Sequence, residues 1–251
     1  MSERWLAVGG TGRLGRAMQA AEPGRLVPLG RRDLDLLGSK VEIARAVDRS
    51  RADCTAVLCL AAETSVPGCE RDPDRAFAVN AVGVGRLAEV CARSGLPIVH
   101  VSTDYAFGGG SAPYAPTDDP CPVNVYGATK AAGEDEVLRR GGSVARVSFV
   151  VDPPGYAWVA AGARVTKEWV DETAARLLRF LDWSDGVRLS GSRRGAPGHP
   201  FHVVSTLERT LSEVVLERYP MIPVVDRAEA EGRLAYPFPW DVRLSGAWRE
   251  S

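Results

Sequence analysis

Tyr126 and Lys130 stand four positions apart, the spacing that sets two side chains on one side of a helix. An ammonium beside a phenol favours the ionised phenol, so the pair reads as acid/base machinery. A third group can join it. Thr103 leaves the end of the apolar run Pro97-Ile-Val-His-Val-Ser102, and α/β sheets bind ligands beyond their strand ends. A hydroxyl, a phenol and an ammonium converging on one point can hold a carbonyl oxygen and pass it a proton. Because a Tyr-x-x-x-Lys spacing by itself usually describes a solvated helix face, its meaning depends on the elements that position it.

The first of these elements is at the N-terminus. Trp5-Leu-Ala-Val8 is a short apolar run, followed by Gly9-Gly-Thr11-Gly12-Arg13-Leu14-Gly15 and the helix-like Arg16-Ala-Met-Gln-Ala-Ala21. Strand, glycine turn and helix form the context of a dinucleotide fingerprint, in which a pyrophosphate meets a helix N-terminus. The spacing is G-x-x-G-x-x-G rather than G-x-G-x-x-G. The second strand candidate, Arg25-Leu-Val-Pro-Leu29, runs into Gly30-Arg31-Arg32. An NAD site places a carboxylate there for the ribose hydroxyls. Two guanidiniums instead suit a 2′-phosphate, which points to NADPH, with NADH also admitted.

Further apolar runs alternate with helix-like stretches: Ala56–Leu60, Pro73–Arg93, Ile98–Ser102, Tyr126–Arg139 and Ser143–Arg146. This alternation predicts an α/β fold, a Rossmann-type doubly wound parallel sheet with its site at the carboxyl edge. The expected organisation is a nucleotide-binding core over residues 1–150 and a small C-terminal substrate lobe, interleaved with it, over residues 151–251. In the lobe, Glu168–Leu181 reads as a helix, Val187–Ser190 as a short strand and Ser205-Thr-Leu-Glu208 as the capping box of another helix. Trp183, Trp240 and Trp248 read as packing residues.

With 251 residues, 45% of them hydrophobic, the chain can bury a substantial core, and a net charge of -1 gives no reason to expect nucleic acid or membrane as partner. Met1-Ser-Glu-Arg4 lacks an apolar leader, so a cytoplasmic location is expected. Cys54, Cys59, Cys69, Cys91 and Cys121 are scattered singly, as reduced thiols are. His100, His199 and His202 make no convincing ligand set, and no metal is expected.

Taken together, these residues resemble the extended short-chain dehydrogenases/reductases, most closely the dTDP-4-dehydrorhamnose reductase family. The resemblance covers about the first three-fifths of the chain. It is carried by Pro113-Tyr114, Asp118, Pro120, Pro122-Val-Asn-Val-Tyr126-Gly127 and Thr129-Lys130-Ala-Ala-Gly133-Glu134, with Leu34-Asp35-Leu36, Ala61-Ala62 and Phe77-Ala-Val-Asn80 on the cofactor side. It implies that Thr103 donates to the substrate oxygen, Tyr126 is the general acid, and Lys130 tunes Tyr126 and holds the nicotinamide ribose. Gly9, Thr11, Gly12, Arg13, Leu14, Gly15, Arg31, Arg32, Asp35, Leu36, Ala61, Ala62 and Asn80 are expected along the cofactor. Thr64, Asp104, Tyr105 and Phe107 are expected at the substrate, and Arg193 and Arg194, in the basic loop Gly191–His199, at its diphosphate.

The implied activity is reduction of a keto group on a nucleotide-linked deoxysugar or related natural-product intermediate. A nucleotide sugar is then the small-molecule partner, and a homodimer is left open. Three departures bear on the substrate: Pro116 replaces an acidic residue, Glu63 an aromatic, and Val150-Val-Asp-Pro-Pro154 the usual Val-Tyr-Gly. A 4,6-dehydratase of similar sequence would carry Thr-Asp-Glu where this chain has Thr103-Asp104-Tyr105. An epimerase, and a non-catalytic regulator resembling the methionine adenosyltransferase β-subunit, are the alternatives.

Overall fold

The computed structural model describes residues 4–150, 159–160, 164–165, 168–189, 200–203, 209–219, 221–234 and 243–244. Its first part alternates strand and helix: β1 (Arg4–Val8), α1 (Arg13–Ala21), β2 (Leu26–Leu29), α2 (Lys40–Ser50), β3 (Cys54–Cys59), α3 (Val66–Arg71), α4 (Pro73–Phe77), α5 (Val84–Arg93), β4 (Ile98–Thr103), α6 (Val125–Leu138) and β5 (Ser143–Val147). Between α4 and α5 the chain widens into a π-turn over Ala78–Gly83. The expected continuous helix Pro73–Arg93 is therefore interrupted at its centre.

The doubly wound parallel sheet expected from the alternation is present. Five strands pair in the order β5-β4-β3-β1-β2, and every pairing is parallel. Chain order reverses between β1 and β3, so a crevice for ligands opens beyond their carboxyl ends. The strands read as unbroken apolar runs because helices cover both faces. Side chains alternate across the sheet. Trp5, Ala7, Leu58 and Val101 join Leu14 and Met18 of α1 in one core. Leu6, Val8, Val57 and Ile98 join Ile43 and Val47 of α2, Leu87 of α5 and Val137 of α6 in the other.

Beyond residue 148 come the short strands β6 (Phe149–Val150), β7 (Val159–Ala160), β8 (Arg164–Val165) and β9 (Glu168–Trp169), then the long helix α7 (Val170–Leu189) and β10 (Pro200–His202). β10 pairs parallel with β5 as the sheet's sixth strand. α7 adds Leu177, Leu178 and Leu181 to the core beneath α1, and its Asp182 accepts from Arg25 at 2.5 Å. β11 (Arg209–Thr210), α8 (Leu211–Arg218), β12 (Val224–Val225) and α9 (Arg227–Arg233) complete the chain; β6–β9, β8–β11 and β7–β12 form two-stranded ribbons.

One expectation for this region is revised. Val187, Arg188 and Leu189 continue α7 rather than forming a strand, and Ser205–Glu208 lies outside the described residues. Trp183 packs against Phe180 and Phe201, as a core residue should, whereas Trp240 and Trp248 lie outside the described residues.

Candidate active site

The glycine turn after β1 is a cradle that side chains would fill. Gly9 has φ +82, and a Cβ there would stand 2.5 Å from the Ala61 nitrogen; one on Gly15 would stand 2.3 Å from the Gly10 oxygen. Gly12 caps α1 without a side chain, and the first turn carries no acidic residue. The initial N–H groups of α1 are thus left for an anion. Arg16 Nε on the Thr11 carbonyl and Gln19 Nε2 on the Gly10 carbonyl, both at 2.8 Å, brace the turn. Leu14, expected along the cofactor, instead sends its side chain into the core. Thr11, on the turn, and Arg13, at the start of α1, are exposed. These residues fit a dinucleotide pyrophosphate.

At the end of β2, the Asp33 carboxylate accepts from the Gly30 N–H at 2.8 Å. Arg31 Nε lies 3.1 Å from Asp35 Oδ2. The backbone N–H of Leu37 and then Arg31 hold the Asp35 carboxyl below its usual range, against partial desolvation. Only Arg32 of the two arginines is without a carboxylate partner among the described residues. The Leu36 side chain is buried in the core rather than turned to a cofactor.

Asn80 sits in the π-turn, fully buried. Its Oδ1 accepts from the Glu63 N–H at 2.8 Å, and its Nδ2 donates to the Glu63 carbonyl and to Thr129 Oγ1, each at 3.0 Å. Its amide therefore ties the Ala61-Ala62-Glu63 loop to α6. That makes it a positioning group rather than the cofactor contact expected. Thr64, just beyond, is exposed.

At the end of β4 the Thr103 hydroxyl donates to Asp104 Oδ1 at 3.1 Å and accepts from the Tyr105 N–H at 3.2 Å. An ionised carboxylate only accepts, so the Thr103 proton points at Asp104. Ser148 Oγ donates to the other oxygen of Asp104 at 2.5 Å. Asp104 is buried behind Thr103 and does not face a substrate. Phe107 is likewise buried, stacked on Tyr114 at 4.3 Å with the Arg146 guanidinium 4.9 Å above its ring. Both expectations of substrate contact are corrected: the chain turns inward directly after the strand. Tyr105 does remain at the site, edge-on to Tyr126 at 5.7 Å.

α6 starts where its caps place it: Asn124 Oδ1 accepts from the Gly127 N–H, and Glu70 Oε1 from the Val125 N–H, both at 2.8 Å. A Cβ on Gly127 would stand 2.0 Å from the Tyr105 oxygen, so only glycine lets the helix approach the turn after β4 this closely. Burial pushes the Tyr126 phenol above its usual range; a hydrogen bond with Thr103 opposes this, and Asp104 and Cys69 add to it. The phenol is therefore protonated at neutral pH and suited to give a proton.

Lys130 is buried, with Nζ 2.8 Å from the Val101 carbonyl and 3.0 Å from His100 Nε2. Burial lowers its ammonium to about 8, while Cys59 and Glu134 pull it upward. The expected pairing of ammonium with phenol is not made, because the hydrogen bonds of Lys130 go to β4.

Several residues that support the site were missed from sequence: His100, Ser148, Glu70 and the buried set Ser102, Glu134 and Arg146. Their signal was polar residues within apolar runs, which burial makes conspicuous. Among the described residues no group of three or more His, Cys, Asp or Glu could hold a metal. His202 lies 3.5 Å from Arg146. His199, Arg193, Arg194 and Val151–Pro154 lie outside the described residues.

A parallel sheet with its switch point beside a glycine cradle, with Thr103 at the end of β4 and Tyr126 and Lys130 on the helix packed against that strand, defines the extended short-chain dehydrogenase/reductase class. Within it the chain belongs to the family of the RmlD substrate binding domain, whose model matches residues 3–168. It is 42% identical over 144 residues to the dTDP-4-dehydrorhamnose reductase of Mycolicibacterium smegmatis, a match covering 55% of this chain and 42% of that protein. It is 33% identical over 222 residues to a dTDP-4-keto-6-deoxy-D-glucose reductase of Streptomyces niveus, covering 84% of this chain and 75% of that one. A crystal structure of dTDP-4-dehydrorhamnose reductase from Bacillus anthracis in complex with NADP superposes with a TM-score of 0.77 at 23% identity, over 97% of this chain and 90% of that one.

Proposed function

We propose that this protein is an NADP(H)-dependent reductase of a keto group on a nucleotide-linked sugar, of the dTDP-4-keto-6-deoxysugar kind. The observation that carries the reading is the Gly9–Gly15 cradle after β1 in the same parallel sheet whose β4 ends at Thr103, with Lys130 of α6 bonded to that strand and Tyr126 one turn before it. The reductases named above, and the NADP in the Bacillus anthracis structure, support it.

Gly9, Gly12 and Gly15 would hold the pyrophosphate, Arg32 the 2′-phosphate, and Lys130 the nicotinamide ribose. A nicotinamide bound there supplies a hydride for the carbonyl carbon. Tyr126 gives its proton to the carbonyl oxygen. Thr103 turns its hydroxyl from Asp104 to the reacting oxygen or to the phenolate left behind, and the ammonium of Lys130 offsets that negative charge. Tyr105 takes the place of the second carboxylate that a dehydratase needs, which favours reduction over elimination. A cytoplasmic location goes with this reading; five free thiols support it.

The test is NADPH consumption, followed by absorbance, over a panel of dTDP-, UDP- and GDP-linked 4-keto-6-deoxysugars. Turnover with a dTDP-linked member is expected. Tight NADPH binding with no turnover on any member would instead favour the regulatory-subunit reading.

A further inference from the structure

His100 lies on β4, three residues before Thr103, and is fully buried. Its ring reaches α6: Nε2 is 3.0 Å from Lys130 Nζ, and the next residue, Val101, offers its carbonyl to the same ammonium at 2.8 Å. Two residues further along β4, Ser102 Oγ bonds Glu134 Oε1 at 2.5 Å. Residues two apart on a strand share a face, and residues four apart on a helix share a side. His100–Lys130 and Ser102–Glu134 are therefore two polar rungs joining the same strand face to the same helix side. Beside these rungs α6 also lies against the π-turn, because Gly133 has no side chain: a Cβ there would stand 2.2 Å from the Asn80 oxygen, while His100 Nε2, at 3.5 Å, would be in ordinary contact.

An imidazole is a costly residue to bury here. Nδ1 finds no hydrogen-bond partner among the described residues, whereas a leucine would fill similar space without a polar atom to desolvate. The ring is thus not explained by packing; what distinguishes it from an apolar side chain is the acceptor it presents to Lys130.

We propose that His100 is a positioning residue for Lys130: with the Val101 carbonyl it takes two of the three ammonium protons, fixing the head group and leaving one proton for the cofactor ribose. The last clause rests on the dinucleotide-binding reading; the His100–Lys130 link does not. For Nε2 to accept, the ring must be neutral with its proton on Nδ1. Burial and the adjacent ammonium ensure this by holding the imidazole well below its usual range. The other ionisable groups facing Lys130 are Cys59 from β3 and Glu134 from α6 itself. The Cys59 thiol, which burial pushes up to about 11, and the Glu134 carboxylate, which is shared with Arg146, both stay in place when His100 is replaced. Removing the acceptor takes away one of the groups that hold the ammonium against burial, and it becomes a stronger acid.

The experiment compares wild type with His100→Leu, which keeps volume without an acceptor, and His100→Gln, whose amide oxygen can replace Nε2. In cofactor-free protein labelled at the lysine Cε carbon, NMR follows the Lys130 resonance, assigned by its loss in Lys130→Met. A wild-type midpoint of about 8 is expected, with His100→Leu lower by roughly one unit, a tenfold change in acid dissociation, and His100→Gln close to wild type. At pH 7.5 a midpoint lowered from about 8 to about 7 cuts the charged fraction roughly threefold, so NADPH affinity measured by fluorescence should fall about threefold or more in His100→Leu and stay close to wild type in His100→Gln. His100→Leu should melt no lower than wild type.

A wild-type midpoint and NADPH affinity in His100→Leu would overturn the proposal. So would equal losses in Leu and Gln variants accompanied by lower melting temperatures, the mark of a purely structural residue. If His100→Leu does not fold, His100→Asn, whose amide is too short to reach Nζ, takes its place with the same expectations. A wild type that binds no NADPH would refute the cofactor reading, while the Lys130 midpoints would still decide the role of His100.

Discussion

Replacing Glu134 with glutamine removes one charge from an ion pair in which both side chains are only 2% exposed. Glu134 Oε1 accepts from Ser102 Oγ at 2.5 Å and from Arg146 Nε at 3.1 Å, and Oε2 accepts from Arg146 Nη2 at 2.7 Å. Whichever way a glutamine amide is turned, its NH2 meets a donor, and the guanidinium is left as a buried charge without a counter-ion. Removing one partner of such a pair costs about 3–5 kcal/mol, a large share of a typical total of about 5–15 kcal/mol. For a chain of 251 residues, about 2.1 cal/mol/K per residue gives an unfolding entropy of roughly 0.5 kcal/mol/K, so the melting temperature should fall by about 6–10 °C.

The assay is thermal and urea denaturation of Glu134→Gln, Glu134→Leu, Arg146→Met and the Leu/Met double variant. Removing both charges should restore most of the loss, with a coupling energy of at least about 2 kcal/mol. The two Glu134 variants should also lower the Lys130 midpoint, since the Glu134 charge helps to hold it up. Melting of Glu134→Gln within about 2 °C of wild type, or strictly additive effects in the cycle, would refute the view that this buried pair anchors α6 to β5.

Tyr126→Phe keeps the ring but removes the proton donor, so turnover should fall roughly a hundredfold or more while NADPH affinity stays within about twofold; wild-type turnover would remove Tyr126 from the mechanism. Arg32→Ala should cost about 1.5–3 kcal/mol of NADPH affinity and leave NADH affinity unchanged, and Arg31→Ala should cost less, because that guanidinium is already paired with Asp35. Equal affinities of the wild type for the two cofactors, by fluorescence titration, would contradict this. Replacing Arg193 and Arg194 together by alanine should raise KM for a nucleotide sugar, with a salt-sensitive difference, and leave NADPH affinity intact; an unchanged KM would reduce the loop to a solvated surface.

The central strands were legible because they are buried on two faces, and a strand so placed is written as a largely apolar run, as in Trp5–Val8 and Ala56–Cys59. Elements set by longer-range demands were not. α2 escaped notice although Ser39 and Glu42 form a reciprocal capping box and Ile43, Ala46 and Val47 give it an apolar side. The π-turn at Ala78–Gly83 leaves no local signature, because Asn80 is held there by Glu63 and Thr129, 17 and 49 residues away. Val187 suggested a strand from its own propensity, but continuation of α7 prevailed, as context commonly overrides β-propensity.

At the site, spacing revealed which residues gather and failed to reveal where their protons go. The four-residue interval places Lys130 one turn beyond Tyr126, and from that alone the ammonium should serve the phenol. In the fold it serves His100 and the Val101 carbonyl, groups on a strand about thirty residues earlier that no helical interval can register. Thr103 was read correctly as lying at a strand end, but its hydroxyl is drawn to Asp104 because Ser148, 44 residues further on, helps to hold that carboxylate beneath it. Asp104 and Phe107 were assigned to the substrate on adjacency in sequence, and a single 3-10 turn over Asp104–Ala106 was enough to turn both inward. Periodicity carries the position of a side chain along its own element. The partner that orients its proton lies on another element, and only the packing of α6 against β4 and against the turns at Asp104–Ala106 and Ala78–Gly83, made close by Gly127 and Gly133, decides which partner that is.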